Sequence, residues 1–279
     1  NCRLSCRLCR VRIGVHKMKK DMLEKKLFAY NDVFAEVFNE IVFCGTGVVI
    51  DPDDLEDTKA RSLYFPSNNN DDNPAREQER DIVKLWKKGN VILSLLGLEN
   101  QTSIDASMPV RIMGYEGADY RYQVVERDEA ARAAALKGDK KTAQEIRARK
   151  FYPVITAVLY YDTKRRWDKP RSLYDCLEMP PGFERIVEDR HINVIELAWL
   201  PDDQEARLNT DMRQIVDVLK QIRITGKYNP ESNARIRHVE ALIKLLQELS
   251  GKRDLFRQML IKYPEIETEG DSIGMIDLF

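Results

Sequence analysis

The residue pattern predicts an α/β protein with a helical C-terminal part, and three observations carry that prediction. Residues 81–101 read as a hairpin: two apolar-rich runs broken by Lys87-Lys88-Gly89-Asn90. Pro153 to Tyr161 is a near-continuous apolar run, the mark of a strand buried on both faces. From Asp203 onward the apolar residues recur at helical spacing instead. They are Ile215, Val218, Leu219 and Ile222, then Val239, Leu242, Ile243, Leu246 and Leu249.

Taken in order, the first 17 residues differ from the rest. They hold Arg3, Arg7, Arg10, Arg12 and Lys17, no acid, and cysteines at Cys2, Cys6 and Cys9. A zinc knuckle would need a second Cys/His pair, which His16 alone does not supply. We expect an incidental leader, with the natural start at Met18. Residues 19–43 are expected to be mostly helical through Leu27, Phe34, Phe38 and Ile41, with Asn31-Asp32 capping a helix from Val33 to Val42. Residues 44–73 read as a long connection, because Gly45, Gly47, Pro52 and the polar run Ser67 to Pro74 oppose any regular element. Residues 107–148 are helical, with Val110, Met113 and Gly114 on one stripe. The polar, Ala-rich part from Arg127 to Arg149 breaks at Gly138-Asp139 and should project as a charged helical hairpin. Ile192 to Trp199 is a further strand. This divides the chain into a leader (1–17), a core (18–200) with a helical insertion near 124–150, and a helical region (201–279).

The totals bound the function. A chain of 279 residues forms one large domain or a core with an appendage. With 33% charged and 43% hydrophobic residues and no apolar run of about 18, no membrane span is expected. A net charge of −1 means that any nucleic-acid binding must come from local basic patches. Beyond the leader only Cys44 and Cys176 occur, which points to a reducing, cytoplasmic setting.

The chemistry concentrates at the end of the hairpin. The run from Val91 stops at Gly97-Leu98-Glu99-Asn100-Gln101, so Glu99 and Gln101 share one face of a strand. With Lys88-Gly89-Asn90 as the loop, Lys87 pairs with Val91, Asp81 falls opposite Gly97, and Glu99 lies diagonally across at roughly 7–8 Å. Gly97 would leave room for an ion between the two carboxylates, although a one-residue slip would turn Asp81 to the other face. Two carboxylates beside an amide suit Mg²⁺, which takes oxygen ligands and keeps several waters.

Six segments in order resemble the Rpn-type recombination-promoting nuclease and putative transposase family, a branch of the PD-(D/E)XK nuclease superfamily. They are Phe34-Ala35-Glu36-Val37-Phe38-Asn39, Arg80-Asp81, Gly97 to Gln101, Met108 to Tyr115, Tyr152 to Tyr161, and Trp167 to Asp175. The resemblance covers about residues 25–225, and a lone Glu-x-Gln would carry almost no weight. It implies a mixed central sheet flanked by helices, a restriction-endonuclease-like core, and Mg²⁺-dependent (or Mn²⁺-dependent) cleavage of DNA phosphodiesters. Carried over by position, Asp81 and Glu99 would be metal ligands, with the carbonyl of Asn100 completing the shell. Gln101 stands where the superfamily carries Lys, and Glu36 stands where relatives carry a helix Asp. The resemblance also leads one to expect an extended Met-Cys-containing tail, which many relatives carry and which residues up to 279 do not show.

Blander roles compete at each position. Asp81 alone is a charged strand start, Glu99 a solvated strand end, and Gln101 an amide satisfying backbone groups. Asp32 is a helix cap, and Tyr115 and Trp167 are packing residues. Arg111 reaches a phosphate or a site carboxylate, or forms a structural ion pair. The basic stretches 132–150 and 164–171 offer sequence-independent phosphate contacts or simply solvated faces. His16, His191 and His238 are too scattered for a metal triad. The helices after residue 203 read as core and lid, or as a surface for self-association. The leading expectation is a metal-dependent DNA endonuclease. Its rivals are a catalytically silent DNA-binding or protein-interaction descendant, and a nuclease acting on RNA.

Overall fold

A computed structural model of the chain describes residues 22–59, 63–64, 77–78, 80–229, 235–250, 261 and 273–274. The expected leader and the polar run 67–74 lie outside these residues. Helix α1 spans residues 22–28 and α2 spans Asn31–Val37, which passes into a single π turn, Phe38–Val42. Together they fill the helical stretch predicted from Val33 to Val42. The capping expectation fails, because Tyr30 precedes the helix and no side chain caps it. The Asn31 amide donates instead to the carbonyls of Pro52 and Leu55, each at 3.0 Å, and so ties down the connection that follows. Asp32 bonds His238, at 2.7 Å from Nε2.

The predicted connection contains a strand, β1 (Leu55–Asp57), at the edge of the sheet. Then come β2 (Ile82–Lys88) and β3 (Val91–Gln101), helices α3 (Met108–Leu136) and α4 (Lys140–Ala148), and β4 (Val154–Tyr160). Strand β5 is Asn193–Glu196, half the predicted length, because Leu197–Trp199 winds into a 3₁₀ turn. The short helix α5 (Asp202–Glu205) leads into α6 (Asp211–Thr225) and α7 (Val239–Ser250). The five strands form one mixed open sheet in sequence order. The first three are antiparallel and β3, β4 and β5 run parallel, giving an α/β fold. No described helix is long and apolar enough to cross a membrane.

Strand alternation sends the apolar residues to two faces. Leu96, Leu98, Ala157, Leu159 and Ile195 enter a core built with Phe28, Phe34, Phe38, Ile215, Leu219, Leu242 and Leu246, so α1, α2, α6 and α7 cover one face. On the other face Val158 and Tyr160 pack against Met108, Ile112 and Tyr115 of α3. The predicted α3 stripe is rotated: Val110 and Met113 are 44% and 42% exposed. The buried side of the helix carries Glu116, Asp119 and Gln123 instead, each with a polar partner from another segment. Polar groups on a core-facing side erase the apolar period that sequence reading depends on. The projecting hairpin of α3 and α4 forms as expected. Gly138 takes φ +82°, and Asp139 caps α4 by accepting from the Thr142 N–H at 2.9 Å.

The β2–β3 register departs from the prediction twice, and the two departures cancel in their effect on the face. The turn has two residues, since Lys88 pairs with Val91, and Gly89 takes φ +59° at the first of them. That alone would move Asp81 to the wrong face. A bulge then intervenes: Trp86 pairs with Ser94 and Lys87 with Ile92, leaving Leu93 extra. Ile82 therefore lies opposite Leu98 and Val83 opposite Gly97, so the total slip is two residues and the predicted faces of β2 are kept, up to the end of the strand one residue short of Asp81.

Candidate metal and phosphodiester site

The carboxyl end of β3 brings together groups from four segments. Glu99 is 3% exposed on the α3 side of the sheet. Its Oε1 accepts from Arg111 at 2.5 Å and from the Gln101 amide at 3.2 Å. Its Oε2 is buried and lacks a well-formed hydrogen bond, although the Asp81 N–H lies close enough to the carboxylate to favour its charge. Asp81, just ahead of β2, accepts through Oδ2 from the Asn100 N–H at 2.7 Å and pairs through Oδ1 with Lys25 of α1 at 2.8 Å. Burial first, and then the charge of Asp81, push the Glu99 carboxyl well above the usual carboxylate range; Arg111 and Lys25 pull the other way. Each carboxylate already has one cationic partner, Lys25 for Asp81 and Arg111 for Glu99.

The neighbours fix that pair in place. Arg111 forks from Glu99 to Asp105, at 2.8 Å, and donates to the Tyr115 hydroxyl at 3.0 Å. Burial opposes the charge of Arg111, but its bonds to Asp105 and Tyr115 outweigh this and keep it protonated. The Tyr115 hydroxyl is itself pushed up by burial and by Glu99. On the opposite face the Tyr161 hydroxyl donates to Asn100 Oδ1 at 3.0 Å. Burial, then the charges of Glu24 and Asp81, hold that phenol well above its ordinary value.

Gly97 leaves a gap as expected, but a different cation lies in it. A Cβ at Gly97 would stand 2.8 Å from an Arg80 guanidinium nitrogen. Arg80 is 3% exposed, donates to Thr156 Oγ1 at 3.1 Å and pairs with Asp119 of α3. Burial lowers its pKa to about 10 although the charge of Glu99 resists. The expected ion between Asp81 and Glu99 therefore does not lie over Gly97, because Arg80 fills that volume.

Of the residues expected at the site, Asp81, Glu99, Asn100, Gln101 and Arg111 meet here. Glu36 does not. Its carboxylate accepts from the N–H groups of Asn209 and Thr210 and from the Thr210 hydroxyl, at the start of α6. Sequence reading missed Lys25 and Asp105. Lys25-Lys26 looks like the solvated side of a helix, and nothing local ties it to Asp81, 56 positions away. Among the described residues no group of three or more His, Cys, Asp or Glu side chains forms a metal cluster. The side-chain oxygens of Asp81 and Glu99 are donors of the kind that Mg²⁺ takes, although most of them are engaged by Asn100, Lys25, Arg111 and Gln101.

Comparison with curated proteins and with solved structures gives no match. A family profile described as "Putative transposase, YhgA-like" matches residues 83–255, more than half of the chain. The match takes in Glu99, Asn100, Gln101 and Arg111; Asp81 falls two residues before its start and Lys25 further upstream. The chain belongs to the YhgA-like putative transposase family.

Proposed function

We propose that this protein is a metal-dependent DNA endonuclease that hydrolyses phosphodiester bonds with Asp81 and Glu99 as the ligands of Mg²⁺. One observation carries the reading: a buried Glu99 carboxylate that feels the charge of a second carboxylate, Asp81, at the carboxyl end of a sheet strand. A carboxylate so placed is costly in a purely structural role. When bound, the ion would polarise a phosphoryl oxygen and lower the pKa of an attacking water.

The side chains take complementary parts. Asp81 is oriented by the Asn100 N–H, and the Asn100 carbonyl would complete the shell. Gln101, whose amide touches Glu99, orients the water through a group that both donates and accepts. It brings no charge, and two residues from other elements make up for that. Lys25 lies against Asp81 and Arg111 against Glu99, so either can turn to a phosphate once the carboxylates bind a cation.

The test is supercoiled plasmid incubated with purified protein and Mg²⁺ or Mn²⁺. We expect nicked and linear products, at least 100-fold less with Asp81→Ala or Glu99→Ala, and none with EDTA. Cleavage by both variants at the parent rate would overturn the assignment. DNA retardation without cleavage under either metal would instead identify a silent descendant of the fold.

A further inference from the structure

A cleft of about 580 Å³ opens between the turn after β4 and the last turn of α6, lined by Thr163, Lys164, Trp199, Ile222, Arg223 and Gly226. Its two cations differ from those around them. Arg165 pairs with Asp162, and Arg166 and Arg171 both pair with Glu196. Lys164 and Arg223, both exposed, have no carboxylate within ion-pair distance among the described residues. Asp202, whose charge Arg223 also feels, is bonded to Lys220 at 2.7 Å. Arg223 is nevertheless held in position. Its Nε donates to the Ala198 carbonyl at 2.7 Å, and its guanidinium lies 5.6 Å from the centre of the Trp199 ring. So held, Arg223 lines the cleft with a pre-set fork for an anion.

The register places this cleft with respect to Glu99. Gln101 pairs with Tyr160 and Tyr160 with Glu196 across three parallel strands, so all three end on one edge of the sheet. Lys164 follows Tyr160 by four residues, and Trp199 follows Glu196 by three. With strands about 4.8 Å apart, Gln101 and Glu196 are about 10 Å apart. A DNA strand carries one phosphate per about 3.4 Å of helix axis, and its phosphates lie further apart than that along the strand itself, so the cleft lies within a few phosphates of Glu99 on a bound duplex.

We propose that the cleft binds the phosphate backbone of duplex DNA, with Lys164 and Arg223 gripping the strand to one side of the bond cut at Asp81 and Glu99. This extends the nuclease reading and rests on it. The test is binding of a fluorescent 20-base-pair duplex in EDTA, titrated over a series of salt concentrations. Lys164→Glu should weaken binding about tenfold and lower the salt slope by about one, and Arg223→Gln should do likewise to a lesser extent. Lys88→Glu carries the same charge change at the opposite end of the sheet, beside the Gly89 turn, and should leave both quantities within twofold of the parent. Lys164 is exposed, so its replacement tests the cleft even if Arg223→Gln fails to fold. Equal effects at Lys88 and Lys164, or a parent that binds no duplex, would overturn the proposal. A parent that binds through the cleft but never cuts plasmid would leave the cleft standing and remove the nuclease.

Discussion

Glu99 pays for its position in a way that can be measured. Its folded carboxyl holds a proton more tightly than an exposed one, so ionising it costs stability, in full above the raised folded pKa and not at all below the ordinary carboxylate value. Glu99→Gln removes that cost. We expect the metal-free variant to melt about 2–4 °C above the parent at pH 8, with the advantage shrinking as pH falls toward 4. A variant less stable than the parent at pH 8 would mean that the Arg111 pair outweighs the burial. Gly97 is the second informative residue. Arg80 is locked by Asp119 and Thr156, so a methyl group 2.8 Å from its guanidinium has nowhere to go. Gly97→Ala should lower stability by about 1–3 kcal/mol in urea unfolding, far more than Gly→Ala in an open loop.

At the scale of elements, α2 and α6 are joined through Glu36. Its carboxylate takes two backbone N–H groups and a hydroxyl where α6 begins, work that a capping side chain normally does within one helix. Burial raises its pKa although these bonds pull it down. Glu36→Ala should cost about 1–3 kcal/mol and speed hydrogen exchange at the amides of Asn209 and Thr210. Lost cleavage with unchanged stability and exchange would return Glu36 to the catalytic role that the resemblance implies. Helix α3 does comparable joining on the other face, where Asp119 reaches Arg80 and Glu116 reaches Arg190. These long-range polar contacts are the reason its sheet side could not be read from apolar spacing.

For the whole molecule, what was legible follows from which interactions are local. The run Val154 to Tyr160 could be read as a central strand because it is buried on both faces between two helical layers. The ends of β3 and the break at Gly138 were equally legible, each written in a few adjacent residues. Strand β1 was hidden because Leu55 to Asp57 becomes a strand only against Lys84 to Trp86, in a segment whose prolines and glycines signal a loop. Lys25 was hidden for a similar reason: its partner comes from across the fold. The faces of β2 were anticipated, but by a path that needed two unseen features to cancel.

That cancellation has a consequence for how this hairpin can vary. The two-residue turn and the extra Leu93 act as a phase setting, and only their combined parity decides which side chains of β2 look toward α3. Shifting the strand pairing by one residue at the turn, with the bulge untouched, would exchange Val83 and Leu85 with Ile82, Lys84 and Trp86 throughout, and move Asp81 relative to Glu99. A change of two would leave the inside and outside as they are. The hairpin tip, remote from every reacting group, thus serves as the odd-or-even switch on which the distant carboxylate pair depends.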